Sequence, residues 1–197
     1  MYRVLIIVGL ISILVACGSS PKTHFYILNG EAGYDFSDRS DKNVRIGIWK
    51  VKLPELVDRA EIVTRIDQNN IELADFHQWA GGLSNNITQL LANELSRQLK
   101  TERVVISPWS SYRKNDFQVK IHISRFDGKL AGESVLSGAW SLLNAEGSKE
   151  VIREAFNYKL MAESDSYSEM VKTQSKLVVQ LAEQISEVIL AQKNSSK

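Results

Sequence analysis

The chain has 197 residues, of which 24 are basic and 23 acidic, and its formal net charge is +1. That balance supplies neither the basic patch that a nucleic-acid partner calls for nor a run of like charges forming a charged tail. A single cysteine excludes an internal disulfide framework, and the length suits one domain that buries its own core.

The chain opens with Met1-Tyr2-Arg3, and a nearly continuous apolar run then extends to Val15. The run covers roughly 12 residues, against about 20 for a membrane span. Leu14, Val15 and Ala16 stand just before Cys17. This is the anatomy of a secretory signal, residues 1–16, with a small-residue cleavage site. Leu14-Val15-Ala16-Cys17 is similar to the bacterial lipobox, which implies a diacylglyceryl group on the Cys17 sulfur. It also implies an acyl chain, such as palmitate, on the new terminal amine. A reactive thiol would need an activating neighbour, and none stands beside Cys17. Gly18, where aspartate would signal inner-membrane retention, favours the outer membrane, with the domain facing the periplasm. Residues 17–23 form a polar tether that reaches about 3.4 Å per residue at most, so the domain stays close to its bilayer.

The domain is expected over residues 24–193. His24-Phe25-Tyr26-Ile27-Leu28 reads as a first strand, and residues 29–43, rich in Gly, Asp, Ser and Asn, read as a loop. Residues 44–51 alternate apolar with other side chains, the mark of a strand with one buried face. Pro54 follows shortly after and cannot donate to a ladder. Residues 62–66 and 70–73 predict a hairpin across Asp67-Gln68-Asn69. Leu83, Ile87, Leu90, Leu91, Leu95 and Leu99 form one apolar stripe at helical spacing. After a short strand at residues 104–106, Phe117, Val119, Ile121 and Ile123 alternate strictly with polar residues. Asp127-Gly128 is a hairpin-turn signal, with further strands near residues 130–143 and 149–160. Ser166 and Glu169 fit a capping box at the start of a last long helix. Its stripe runs from Tyr167 to Ile189 with Gln174 as a polar interruption, and residues 194–197 read as a disordered tail. The expected fold is α+β: a mostly antiparallel sheet with two long amphipathic helices packed on one face.

Chemistry is harder to find. No nucleophile elbow, dinucleotide fingerprint or phosphate loop occurs. His24, His77 and His122 are scattered, and Asp75 with His77 supplies too few ligands for zinc. Asp58 and Glu61 read as surface charge, and Asn86-Ile87-Thr88, a glycosylation sequon, falls inside a predicted helix. The four tryptophans are either interface anchors or partly buried core residues. The residues therefore point to no cofactor, no metal and no catalytic set, and the chain reads as a non-enzyme.

The order of motifs carries a resemblance. "VKLPELVDRAEIVTR" (51–65), "LADFHQWAGGLSNNITQLLANELSRQL" (73–99), "VVISPW" (104–109) and then Ala139-Trp140 resemble the PqiC family of ABC-transport auxiliary lipoproteins over nearly the whole mature chain. Two departures are Ala60-Glu61 where the family pattern has proline and glutamine, and Gly81-Gly82 where it often has Glu-Pro. The resemblance implies a non-enzymatic, outer-membrane-tethered piece that docks an MCE-domain tube protein conducting lipid between membranes. It makes a homo-oligomeric ring a further expectation. Pro54, Asp58, Arg59, His77 and Trp79, in the loops and strand ends of the matching segments, are the candidate partner surface. Two alternatives remain open: a freestanding periplasmic carrier, which needs an apolar pocket of several hundred Å³, and an envelope hydrolase, for which no constellation assembles.

Overall fold

The computed structural model describes residues 21–30, 44–109 and 114–195. The signal segment with Leu14, Val15, Ala16 and Cys17, most of the tether, residues 31–43 of the expected loop and the last two residues lie outside them. In chain order the elements are β1 (His24–Tyr26), β2 (Ile46–Ile48), β3 (Glu61–Arg65), β4 (Ile71–Trp79) and α1 (Leu83–Gln98). They continue with β5 (Val104–Ile106), β6 (Phe117–Gly128), β7 (Glu133–Leu143), β8 (Glu150–Met161) and α2 (Tyr167–Ser195).

The eight strands form one sheet, ordered β1-β4-β3-β6-β2-β5, with β7 joined to β6 and β8 joined to β7. The sheet is mixed, which corrects the expected mostly antiparallel arrangement. β1·β4, β2·β5, β2·β6 and β3·β6 are parallel, against the antiparallel β3·β4, β6·β7 and β7·β8. The reason is physical: period-two alternation reports that a face is buried and says nothing of strand direction. Strands adjacent in sequence do make hairpins here. The parallel pairs join strands separated by long stretches, as β2 and β5 are by β3, β4 and α1, and parallel pairing needs such crossovers.

β6 is the spine. β7 runs antiparallel along one of its edges from Gln118 to Gly128, while β2 and β3 share the other edge, at Phe117–Val119 and at Gly128. Val119, Ile121 and Ile123 point inward and are buried, joined by Leu136, Trp140 and Leu142 of β7. Onto this face pack Leu177, Leu181, Ile185 and Ile189 of α2, and Leu83, Ile87, Leu91 and Leu95 of α1, in one continuous core. Each such side chain contributes about 1.5–3 kcal/mol relative to exposure.

Local chemistry sets the element ends. Ser166 Oγ accepts from the Glu169 amide at 3.1 Å, which starts α2 as the capping pattern predicts. α2 continues through Ser195, so Asn194 and Ser195 are its last residues rather than part of a tail. The expected turn at Asp127-Gly128 lies instead at residues 129–132, closed by Lys129 N donating to the Glu133 carbonyl at 3.1 Å. Asp127 stays in β6 because Arg65 and Arg125 grip its carboxylate at 2.7 and 2.9 Å. Ser84 and Thr88 on α1 clamp the backbone after β2. Ser84 Oγ donates to the Val51 carbonyl at 2.5 Å and Thr88 Oγ1 accepts from the Val51 amide at 3.0 Å.

Gly138 in β7 is required by close approach: a Cβ there would overlap the His122 carbonyl oxygen and press on Ile123 Cα at 2.9 Å. Gly138→Ala is expected to lower the unfolding free energy by about 1–3 kcal/mol in urea titration. Gly82→Ala, whose added Cβ meets nothing nearer than Asn85 Nδ2 at 3.8 Å, is expected to stay within about 0.5 kcal/mol of the parent.

Candidate functional site

β1 lies parallel to β4, with His24 opposite His77, Phe25 opposite Gln78 and Tyr26 opposite Trp79. Alternation therefore sorts this short strand onto two faces. His24, Tyr26 and His77 share the inner face, where Tyr167 at the start of α2 meets them. The His24 and His77 rings stack at 5.4 Å, and the His77 and Tyr167 rings at 3.9 Å, both 14° from parallel. The Tyr26 hydroxyl lies 2.7 Å from His77 Nδ1, a distance at which a neutral His77 protonated on Nε2 accepts from the phenol. Burial, with the like charge of His24, holds the His77 pKa below the usual histidine range. Burial, then the charge of Glu72, pushes the Tyr167 phenol up.

The other face of β1 is apolar and open. Phe25 is 65% exposed and Ile27 59%, and Phe76 on β4 is 41% exposed. β1 also ends the sheet order, so its outer edge carries no strand among the described residues. Sequence reasoning read this run as an ordinary first strand and missed Phe25, Ile27, Phe76 and Tyr167. The signal available was the crowding of aromatic residues directly after a polar tether.

The other candidate residues gather at the loop between β2 and β3. Pro54 is half-buried, and its carbonyl accepts from the amides of Val57 and Asp58, both at 3.1 Å. Asp58 is exposed, and its Oδ1 accepts from the Ser84 amide at 3.3 Å. It thereby serves the N-terminal turn of α1, whose capping residue, Gly82, offers no side chain. Arg59, half-buried, pairs with Glu61 at 2.9 Å. Trp79 is 4% exposed with its ring 6.5 Å from Phe126, so it belongs to the core. Its amide donates to the Ala60 carbonyl at 2.8 Å, which ties the loop to the end of β4. Pro54, Asp58 and Arg59 thus lie together near the start of α1, His77 lies in the β1 stack, and Trp79 is buried between sheet and helix.

Among the described residues, no group of three His, Cys, Asp or Glu side chains converges as metal ligands would, and no helix is long and apolar enough to cross a membrane. Cys17 lies outside the described residues.

The comparisons place the chain in a class. The ABC-type transport auxiliary lipoprotein component family matches residues 26–186, and the chain belongs to it. This is the family to which the sequence motifs pointed. No curated protein matches. Among solved structures, an uncharacterized protein is similar at 23% identity and a TM-score of 0.69, covering 86% of this chain and 99% of its own. Protein XCC0632 from Xanthomonas campestris is similar at 13% identity and a TM-score of 0.65, covering 78% of this chain and 88% of its own. At these identities both establish the fold alone.

The stack yields a pH dependence. Protonating His77 removes the lone pair that accepts from Tyr26 and adds charge in a half-buried site, so its folded-state pKa lies below the unfolded one. The stability it contributes is complete above the ordinary histidine pKa and is lost as pH falls through that value toward the lowered one. Urea denaturation at about pH 7.5 and about pH 5 is expected to show this loss, and His77→Gln is expected to reduce it.

Proposed function

We propose that this lipoprotein is the outer-membrane-anchored docking component of an MCE-type intermembrane lipid transport system, without enzymatic activity of its own. In this reading the segment 1–16 is removed. Cys17 then carries the diacylglyceryl and N-acyl chains, and the domain faces the periplasm. One buried acyl chain gives only marginal attachment, and two or more make it stable. Membership of the transport auxiliary lipoprotein family supports the reading at its coarsest level.

The observation that carries the finer reading is the exposed apolar patch formed by Phe25 of β1, Ile27 just after it and Phe76 of the adjoining β4, beside the tether. Large apolar side chains presented together at a free sheet edge invite a protein partner. The loop that carries Pro54, Asp58 and Arg59 joins the same end of β4 through the Ala60–Trp79 hydrogen bond. A tether of a few residues cannot carry the domain across the periplasm, so the partner must come to it, as the end of a tube does. A ring of copies around that tube is part of the proposal. A freestanding carrier would instead need a large enclosed apolar cavity, and Leu, Ile and Val side chains occupy the space between sheet and helices.

Photo-crosslinkers placed at Phe25 and Phe76 in cells are expected to capture a periplasmic MCE-domain protein. Cys17→Ser is expected to move the chain from the membrane pellet to the soluble fraction. Phe25→Ser with Ile27→Ser is expected to keep the membrane location and lose the adduct formed from the Phe76 position. Adducts containing no tube protein would contradict the docking role, and a membrane-bound Cys17→Ser chain would contradict the anchor.

A further inference from the structure

The outward face of the sheet carries a second feature, which the docking surface does not use. Lys120 and His122 of β6 alternate with the buried Val119, Ile121 and Ile123, and their partners across the β7 ladder are Ser141 and Ala139. Where β2 ends and β8 begins, Trp49 and Arg153 close the sides of a cleft of about 510 Å³, within the range of small-molecule sites.

Trp49 is 38% exposed, yet it is firmly held. Its Nε1 donates to Gln118 Oε1 at 3.0 Å, and Gln118 Nε2 in turn donates to the Ala145 carbonyl at 2.8 Å. Trp109 packs edge-on against it at 5.2 Å, and Lys120 Nζ lies 4.9 Å from its ring centroid. An open indole fixed in this way is a ready-made contact surface with little side-chain entropy left to lose.

The charge around it is unbalanced. Lys50, Lys52, Lys120 and Arg153 line the cleft against a single carboxylate, Glu150. Ser141 Oγ donates to Glu150 Oε2 at 2.5 Å, and Arg153 Nη1 stands 3.8 Å from that oxygen. The three lysines have no ion-pair partner among the described residues. An excess of three positive charges thus gathers at one cleft in a chain whose total is +1. Like charges held together repel, and among the described residues that line the cleft only Glu150 offsets these.

The geometry points to a binding site for the phosphate headgroup of an anionic amphiphile, its phosphate among Lys52, Lys120 and Arg153 and its less polar part over Ala139 and against Trp49. The cationic rim selects an anion, and the small floor with a fixed indole selects an apolar or glycerol-like neighbour to that anion. A compact cleft on the face of the sheet suits a headgroup better than an extended acidic peptide, which pairs with a sheet edge. The site depends on neither the anchor nor the tube partner.

The test uses the full chain in neutral detergent, titrated calorimetrically with dihexanoyl phosphatidylglycerol, dihexanoyl phosphatidylcholine and inorganic phosphate. Saturable binding of the phosphatidylglycerol is expected, with the phosphatidylcholine at least about tenfold weaker, a difference of about 1.4 kcal/mol. Inorganic phosphate is expected to bind more weakly than phosphatidylglycerol and to compete with it. Lys120→Glu with Arg153→Glu is expected to weaken phosphatidylglycerol at least about tenfold, and Trp49→Ala to weaken it without changing phosphate. An unchanged thermal midpoint verifies folding, and Lys52→Gln provides a milder variant with the same expected direction. Equal affinity for the two lipids, affinity unchanged in the variants, or phosphate binding as tightly as phosphatidylglycerol would overturn the assignment. So would binding of a poly-glutamate peptide where phosphatidylglycerol fails. Because Lys120 is on β6 and Arg153 on β8, whereas Phe25 and Phe76 are on β1 and β4, the crosslinks of the docking face are expected to survive in the cleft variants.

Discussion

The register of β6 constrains everything else in the molecule. Side chains alternate along a strand with period two, so a slip of one residue would send Lys120 and His122 into the core and expose Ile121 and Ile123. Burial of Val119, Ile121 and Ile123 under the helices resists that slip over the first half of the strand. Between Ile123 and Arg125 the ladder to β7 shifts register. Beyond the irregularity Phe126 turns inward, and Asp127 reaches Arg65 and Arg125. Burial of Asp127 opposes its ionisation, but the two guanidiniums outweigh that penalty and hold its pKa below the usual carboxylate range. The strand therefore sets the core on one side, the cationic cleft on the other, and the junction with β3 at its end.

This arrangement separates the two surfaces by construction. The apolar docking face belongs to β1 and β4 at one end of the sheet order, beside the tether. The cleft belongs to the outward face of β6 and β7, closed by Trp49 and Arg153. In the proposed reading, one region of the anchored domain holds a partner while an anionic headgroup occupies the other.

Much of this was legible in the residues. The two helical stripes, the alternation of β6, the β3–β4 hairpin and the Ser166 cap all follow from spacing, because burial on one face is what spacing encodes. Strand partners do not follow from it. Nothing in Ile46-Gly47-Ile48 says that it pairs with both Val104-Val105-Ile106 and the start of β6, since those contacts form across long stretches of chain. The Asp127-Gly128 turn misled for a related reason: a salt-bridged aspartate at a strand end has the same composition as a turn. Sequence also could not separate the tryptophans. Trp79 and Trp140 entered the core, while Trp49 stayed open because Gln118, a residue 69 positions away, fixes its indole at the surface. The candidate surface shows the same limit, since Asp58 and Arg59 were visible as part of a family motif, whereas the open side of Phe25 depends on β1 lying at the end of the sheet order.

Amide hydrogen exchange of the full chain, resolved by residue, tests the central role of β6 most directly. Amides of a strand held on both edges under two helices open only when the whole domain does, whereas an edge strand opens locally. The account predicts that the amides of Val119, Ile121 and Ile123 exchange in the slowest class and that those of β1 exchange much faster. Exchange of β6 at the rate of β1, or a slowest class confined to α2, would contradict it.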